Sequence, residues 1–420
     1  MYFYSSLSSD APRLSNAWGD FNNLINYLID GGNEYNILKI EPYADKGVKI
    51  YYDDTLTSCP WVQFQTIVLT GSNKNYNGDF FIEQINESDK FIIAYRSNIN
   101  FLLSEEEVGE ANVMKARVKP CGATRLLGGV TEQRTVIKFD GSIEFRIDDR
   151  NFAALLTPAV TFNNGWSKVA RVCMAKNFDT LDFTTKRMWP YNATRPNENF
   201  TPHGNYIGQS FMVYNDNSPS NYYITNTSAK SGCAYKVYAN NKCMYIQIFM
   251  GNSYHNWYSR FFIIGGYDSL NKEIPNGLIQ SHRPGGDNAY NTTVNHMAMD
   301  TQAQRCDFTY SVTRSNTNIV MYDNGTGVAA DALFYGGFGY GSAQPSGSGG
   351  LRLPNILDSN IYFSDAQVIA TSSYHGKLYD VKWVNTDYRP TAGTTALIDN
   401  ELYICNLSFD SSTFFKLDRP

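Results

Sequence analysis

The feature that most constrains this chain is a period of two. From Ile37 onward the chain falls into short strand-like runs, with apolar and polar side chains alternating most clearly in the first two: Val48-Lys49-Ile50-Tyr51-Tyr52, Val62-Gln63-Phe64-Gln65-Thr66-Ile67, Phe80-Phe81-Ile82-Glu83-Gln84-Ile85 and Phe91-Ile92-Ile93-Ala94-Tyr95. Loops of Gly, Asn, Ser and Asp separate them. Successive side chains of a strand point to opposite faces, so such runs predict antiparallel strands with one face buried. Further strands are predicted at 113–118, 135–139, 142–147, 168–174, 210–214, 234–238, 244–249, 261–264, 378–384 and 402–405, again separated by Gly, Pro and Asn clusters. A mainly β fold follows.

Composition supports the same class. Only 18% of the 420 residues are charged, while 30 Tyr and 25 Phe supply large buried areas. The one helix predicted spans Asn16 to Asp30, where Trp18, Phe21, Leu24, Ile25 and Leu28 recur at helical spacing and Gly31-Gly32 stands at the C-cap. The predicted organisation is an N-terminal turn and helix over 1–34, and a small antiparallel β-domain over 35–110 with the helix packed on it or on a neighbouring chain. A larger β-sandwich-like region follows over 111–335, then a Gly/Ser-rich loop over 336–350 and a C-terminal β segment over 351–420.

Function classes fall away on charge and spacing. A net charge of −5 offers no surplus of cations to release counterions from a phosphate backbone, so nucleic acid is not an expected partner. No run of 18 apolar residues occurs, so no membrane span is predicted, and no secretory signal is visible in residues 1–30. Seven widely spaced cysteines without C-x-x-C argue against both a disulfide framework and a zinc site, and read as reduced, buried small residues. The five histidines stand alone, and no cofactor is expected. Gly71 to Gly78 lacks the Lys-Ser/Thr that closes a phosphate loop, and Gly337-x-Gly339 lacks a third glycine. The pairs Asp53-Asp54 and Asp148-Asp149 are neighbours on a strand and point apart, so neither can clamp one glycosidic bond; a strand-end turn or surface role is predicted for each.

Aromatic clusters are the candidate contact residues. Tyr222-Tyr223, Tyr254-His255-Asn256-Trp257-Tyr258 and Phe334-Tyr335 combine stacking faces with polar neighbours, as glycan sites do. Half-buried aromatics of a core or subunit interface look the same, and that reading is preferred, with Trp257 and Tyr258 the strongest exceptions.

Several segments, taken in order, resemble a family of virion structural proteins of tailed bacteriophages. Ser8-Ser9-Asp10-Ala11-Pro12-Arg13-Leu14 leading into the helix and Gly31-Gly32 is similar to that family's opening. Leu69-Thr70-Gly71 with Tyr76-Asn77-Gly78-Asp79-Phe80 looks like its hairpin, and Ile143-Glu144-Phe145-Arg146-Ile147-Asp148-Asp149 like one of its strands, with Val169-Ala170-Arg171-Val172 after it. Trp189-Pro190, Met244 to Phe249 and Gly376-Lys377-Leu378 keep the order, whereas extra residues around 285–345 depart from it. The resemblance implies a tail, baseplate or appendage component, made in the host bacterial cytoplasm and resident in the virion. It supplies no catalytic residue. The partners expected are other copies of the chain and other virion proteins. The alternatives are a host-receptor or glycan-binding module and, behind it, a polysaccharide-degrading enzyme built on distant acids such as Asp149 and Asp287.

Overall fold

A strand with apolar side chains on both faces has no side to give to water, and three consecutive strands of this protein read that way: Ala234–Ala239, Cys243–Phe249 and Ser259–Gly265. They form the middle of a six-stranded antiparallel sheet. The structure, a computed structural model, describes residues 1–15, 17–43, 47–96, 105–107, 113–150, 170–182, 188–189, 209–211, 234–249, 259–270, 272–273, 275–282, 295–300, 319–321, 356–365, 368–384, 393–407 and 412–419. Among these the protein is mainly β, with the helix Asp20–Asp30 and four sheets of antiparallel strands.

The central sheet takes its edge strand from the N-terminus. Tyr2–Ser5 pairs with Ala234–Ala239, Phe3 opposite Tyr238. On the far side follow Asn276–His282 and Asn295–Asp300. Alternation sorts the side chains into two cores. Tyr4, Val237, Ile246, Phe262 and Ile264 face one of them, shared with the helix and with Ile137, Phe145, Ile147 and Val172 of a second sheet. Phe3, Tyr238, Tyr245 and Ile263 face the other, shared with Leu378, Val381, Ile404 and Phe415 of a third. The rings of Tyr238 and Phe415 stack at 4.1 Å, nearly parallel. The central sheet is thus the middle of three β layers.

The fourth sheet closes on itself. Tyr35–Tyr43, Gly47–Tyr52, Phe91–Tyr95, Gly78–Asn86, Thr66–Thr70 and Met114–Val118 each pair with the next, and Met114–Val118 pairs back to Tyr35–Tyr43. Closure removes the open edges a flat sheet would present. Ile37, Ile50, Ile67, Phe80, Ile92 and Met114 are all buried in its core. The barrel's last strand lies beyond residue 110, where the sequence places the end of this unit. In the connection from Tyr52 to Thr66, Trp61 is buried edge-on against Tyr35 at 5.8 Å and Tyr52 at 6.4 Å.

Two predicted elements change. The strand expected over Val62 to Ile67 begins only at Thr66. Phe64 has φ 72°, a conformation that costs a bulky residue energy, and a tight turn holds it there. The N–H of Val62 donates to Gln65 Oε1 at 2.9 Å, and the N–H of Phe64 to the carbonyl of Ile82 at 2.8 Å. The predicted helix loses its first turn and starts at Asp20, because Gly19 at φ 94° redirects the chain after Trp18. Its C-terminus is as predicted: Gly31 has φ 76° and donates its N–H to Tyr27 O at 2.9 Å.

The helix is not a lid on the barrel alone. Asn22 Nδ2 donates to Gly129 O at 2.9 Å near its N-terminus, and Asp30 pairs with Arg125 at its C-terminus, so the helix runs along Thr124–Gly129 in the opposite direction. Phe21 meets Phe262 of the central sheet at 6.1 Å.

Trp61 gives a direct test of the barrel. Trp61→Ala is expected to cost about 3–5 kcal/mol in urea unfolding, as for other buried large-to-small changes. Trp61→Phe keeps most of the ring contact and removes an indole N–H that has no hydrogen-bond partner, so its cost is expected to be well below that of alanine.

Candidate functional site

The strand Glu144–Asp148 concentrates more buried charge than any other described strand, and its period of two explains how. Phe145 and Ile147 point into the large core, which sends Glu144, Arg146 and Asp148 to the opposite face of the second sheet. That face is not solvent. Val136, Cys173, Ala175 and Phe178 form a small core there, and residues 176–182 pass over it. Glu144 accepts the N–H of Phe178 at 2.7 Å, and Arg146 donates to the carbonyl of Leu181 at 2.8 Å while its guanidinium lies over the Phe178 ring. Asp148 holds Arg150 through two hydrogen bonds of 2.7 and 2.9 Å. The row of charges fastens the covering segment to the sheet.

Asp149, the residue after the strand, turns the other way. Fully buried, it accepts the N–H of Phe21 at 2.9 Å and of Asn22 at 3.4 Å, the first donors of the helix. An anion here satisfies N–H groups that have no partner within the helix, and it complements the positive end of the helix dipole. Beside it Asn26 donates to Thr135 Oγ1 at 2.9 Å, and Thr135 donates to Asn22 Oδ1 at 2.8 Å. The surface or turn role predicted for Asp148-Asp149 is therefore corrected, because both carboxylates are buried and each is tied to a scaffold partner. Asp53 does sit in a turn, accepting the N–H and hydroxyl of Thr55.

Glu106 repeats the pattern in the barrel. It is buried and accepts the Ser72 hydroxyl at 2.5 Å and the Asn73 N–H at 2.7 Å, which pins the hairpin loop 71–78. Asp10 is half-buried and receives the N–H of Asn33 and the Tyr27 hydroxyl; burial outweighs those hydrogen bonds and raises its carboxyl above its ordinary value. Cys59, Cys121, Cys173, Cys243 and Cys405 are buried thiols, outside any disulfide. Burial pushes the thiols of Cys59 and Cys121 up to about 12, far from thiolate chemistry at neutral pH. Cys233 and Cys306 lie outside the described residues.

One concave feature is a groove of about 430 Å³ at the rim of the third sheet, lined by Tyr2, Leu397, Leu402 and Leu417 and rimmed by charged side chains. The contact residues predicted from sequence, Tyr222, Tyr223, Tyr254, Trp257 and Tyr258, with Phe334, Tyr335 and Asp287, all lie outside the described residues, as does the Gly/Ser-rich stretch 336–350. Among the described residues no three His, Cys, Asp or Glu side chains gather as a metal site, and no helix is long and apolar enough to cross a membrane.

Sequence reading missed the Asp149 cluster. Its one local signal is the pair Asn22 and Asn26, four residues apart and so on the same helix face, where two buried amides require polar partners. No protein-family model, curated protein or solved structure matches this chain.

Two variants test the polar interior. Asp149→Ala leaves the first helix N–H groups buried without an acceptor and is expected to cost about 1–3 kcal/mol, whereas Asp149→Asn, which keeps an acceptor oxygen, costs less; chemical denaturation of both measures the difference. For Asp10 the folded pKa lies above the unfolded one, so its contribution to stability is full below the unfolded value and is lost as pH rises through the folded value. Asp10→Asn removes that loss. Urea midpoints of the variant relative to wild type should therefore rise as pH is taken upward from the acid limb, and a constant difference would contradict the assignment.

Proposed function

We propose that this chain is a structural and assembly component of a tailed-bacteriophage particle, in the tail, baseplate or an appendage. The observation that carries the structural half of this reading is the use made of buried charge. Glu106, Glu144, Asp148 and Asp149 are the buried carboxylates among the described residues, and each is bound to backbone N–H groups, a hydroxyl or a guanidinium; for Glu106, Glu144 and Asp149 that bond fixes one segment to another. A general acid or nucleophile must keep its reactive oxygen directed at a substrate. These carboxylates are directed at the scaffold.

The particle half of the reading rests on the segments that, in sequence order from Ser8 to Leu378, resemble virion proteins of tailed phages. A layered, aromatic β architecture with few charges suits it, because particle subunits associate through large, weakly charged faces.

Quantitative mass spectrometry of particles purified from cultures carrying the gene, disrupted stepwise into heads and tails, tests the proposal. The chain is expected at stoichiometric copy number in the tail fraction. Its absence from intact particles would overturn the particle assignment.

A further inference from the structure

We propose that the strand Thr395–Ile398 is a self-association edge, through which the third sheet pairs with the same strand of a second copy of this chain across a two-fold axis. The inference rests on the reading of the chain as an assembling component and deepens it by naming the surface and the partner.

The first observation is the edge itself. The third sheet runs from Ile319–Met321 through Ile356–Asp365, Val368–Val384, Ser412–Lys416 and Glu401–Leu407 to Thr395–Ile398, and among the described residues no strand pairs with the outer side of that last one. Sheet edges are ordinarily protected by a lysine, a proline, a bulge or a covering element. Thr395-Ala396-Leu397-Ile398 has no charge and no proline, and its register with Glu401–Leu407 is continuous. The edge of the second sheet contrasts with it: Thr124–Gly129 carries Arg125 and has the helix running along it.

Register shows which backbone groups the edge offers. Cys405 donates its N–H to the carbonyl of Thr394 at 2.8 Å. Bonded pairs recur at every second position of an antiparallel ladder, so Ala396 opposite Tyr403 and Ile398 opposite Glu401 are bonded inward. The N–H and C=O groups of Thr395 and Leu397 therefore point outward, in the spacing an antiparallel neighbour needs.

The second observation is the side chain between them. Leu397 is 73% exposed, the most exposed large hydrophobic residue described, and it stands at the mouth of the 430 Å³ groove with Leu402 and Leu417. Ile398, one residue on, is buried. A two-fold axis normal to the sheet places both copies of Leu397 on the same face, where each covers the other.

The occupant follows from charge. The chain carries −5 overall, so two copies repel one another weakly on average. Around the groove, two acids, Glu401 and Asp418, stand with two bases, Lys416 and Arg419. Lys416 pairs with Glu401 at 3.0 Å and Arg419 with Glu83 at 3.3 Å. This rim is neutral and of mixed sign, which an identical rim complements, whereas a strongly basic or acidic partner would find no field to favour it.

A four-residue edge is a small interface, so sedimentation velocity should extend to about 100 µM, where a dimer with a dissociation constant of about that size becomes populated. The wild-type chain is expected to move from monomer to dimer across the series. Leu397→Pro deletes an outward N–H while sparing the inward ladder, and Leu397→Lys adds an edge charge; both are expected to remain monomeric with thermal midpoints close to wild type. Leu270→Lys, a control at another exposed leucine, is expected to dimerise as wild type does. A wild-type chain that stays monomeric throughout, or Leu397 variants that dimerise unchanged, would overturn the proposal. A chain found in particle tails yet monomeric in solution overturns this inference alone. A Leu397-dependent dimer absent from particles overturns the particle assignment alone.

Discussion

The central sheet carries apolar side chains on both faces, and each face needs its own cover. Val237, Ile246 and Phe262 require the helix and the second sheet; Tyr238, Tyr245 and Ile263 require the third. Neither cover is local in sequence. The first is assembled from residues 20–30, 124–148 and 170–175, the second from residues 356–365, 368–384, 395–407 and 412–416, and the edge of the sheet itself comes from residues 2–5. Long-range contacts of this kind make the fold slow to search and cooperative once formed, because removing one layer exposes the face of the next. The barrel joins at the same place: Tyr4 donates its hydroxyl to Lys119 O at 2.6 Å, and Cys121 donates its N–H to Leu28 O at 2.8 Å, just past the last barrel strand.

Polar groups inside such a stack are tolerated only where they are matched, since an unpaired buried charge costs several kcal/mol. The protein places them at seams. Asp149 joins helix to second sheet, Glu144 and Arg146 join the second sheet to its outer cover, and Glu106 joins a hairpin loop to a neighbouring strand of the barrel. Apolar packing alone leaves elements free to slide; a carboxylate that must meet particular N–H groups fixes where they stop. The buried thiols lie within the packed cores and belong to them by volume rather than by chemistry.

Much of the fold was legible. Phe91–Tyr95 emerges at its predicted bounds because a short apolar run is closed by turn residues on both sides, and the helix ends where Gly31 supplies a positive φ. What was illegible depends on distant partners. Nothing in Tyr2–Ser5 announces a strand whose partner lies more than 230 residues away. Phe64 reads as a strand residue until the Gln65 side chain captures the Val62 N–H and turns the chain. Asp148 and Asp149 point apart, as neighbours in an extended chain do, but their burial comes from a helix and a covering segment that no local pattern places there. The aromatic residues read as contact candidates lie outside the described residues, so the rationale for them remains that of composition.

The central claim is that the sheet, its two covers and the helix form one cooperative unit, joined at seams where buried charges serve the scaffold. Native-state hydrogen exchange tests it most directly, because it reports the opening free energy of each amide. The amides of Val237, Ile246 and Ile263 in the sheet and of Leu24 to Leu28 in the helix should exchange through a single opening, with one free energy and one denaturant dependence. Helix amides that exchange through a smaller, separate opening while the sheet stays protected would contradict the claim, and with it the role assigned to Asp149 as the joint between them.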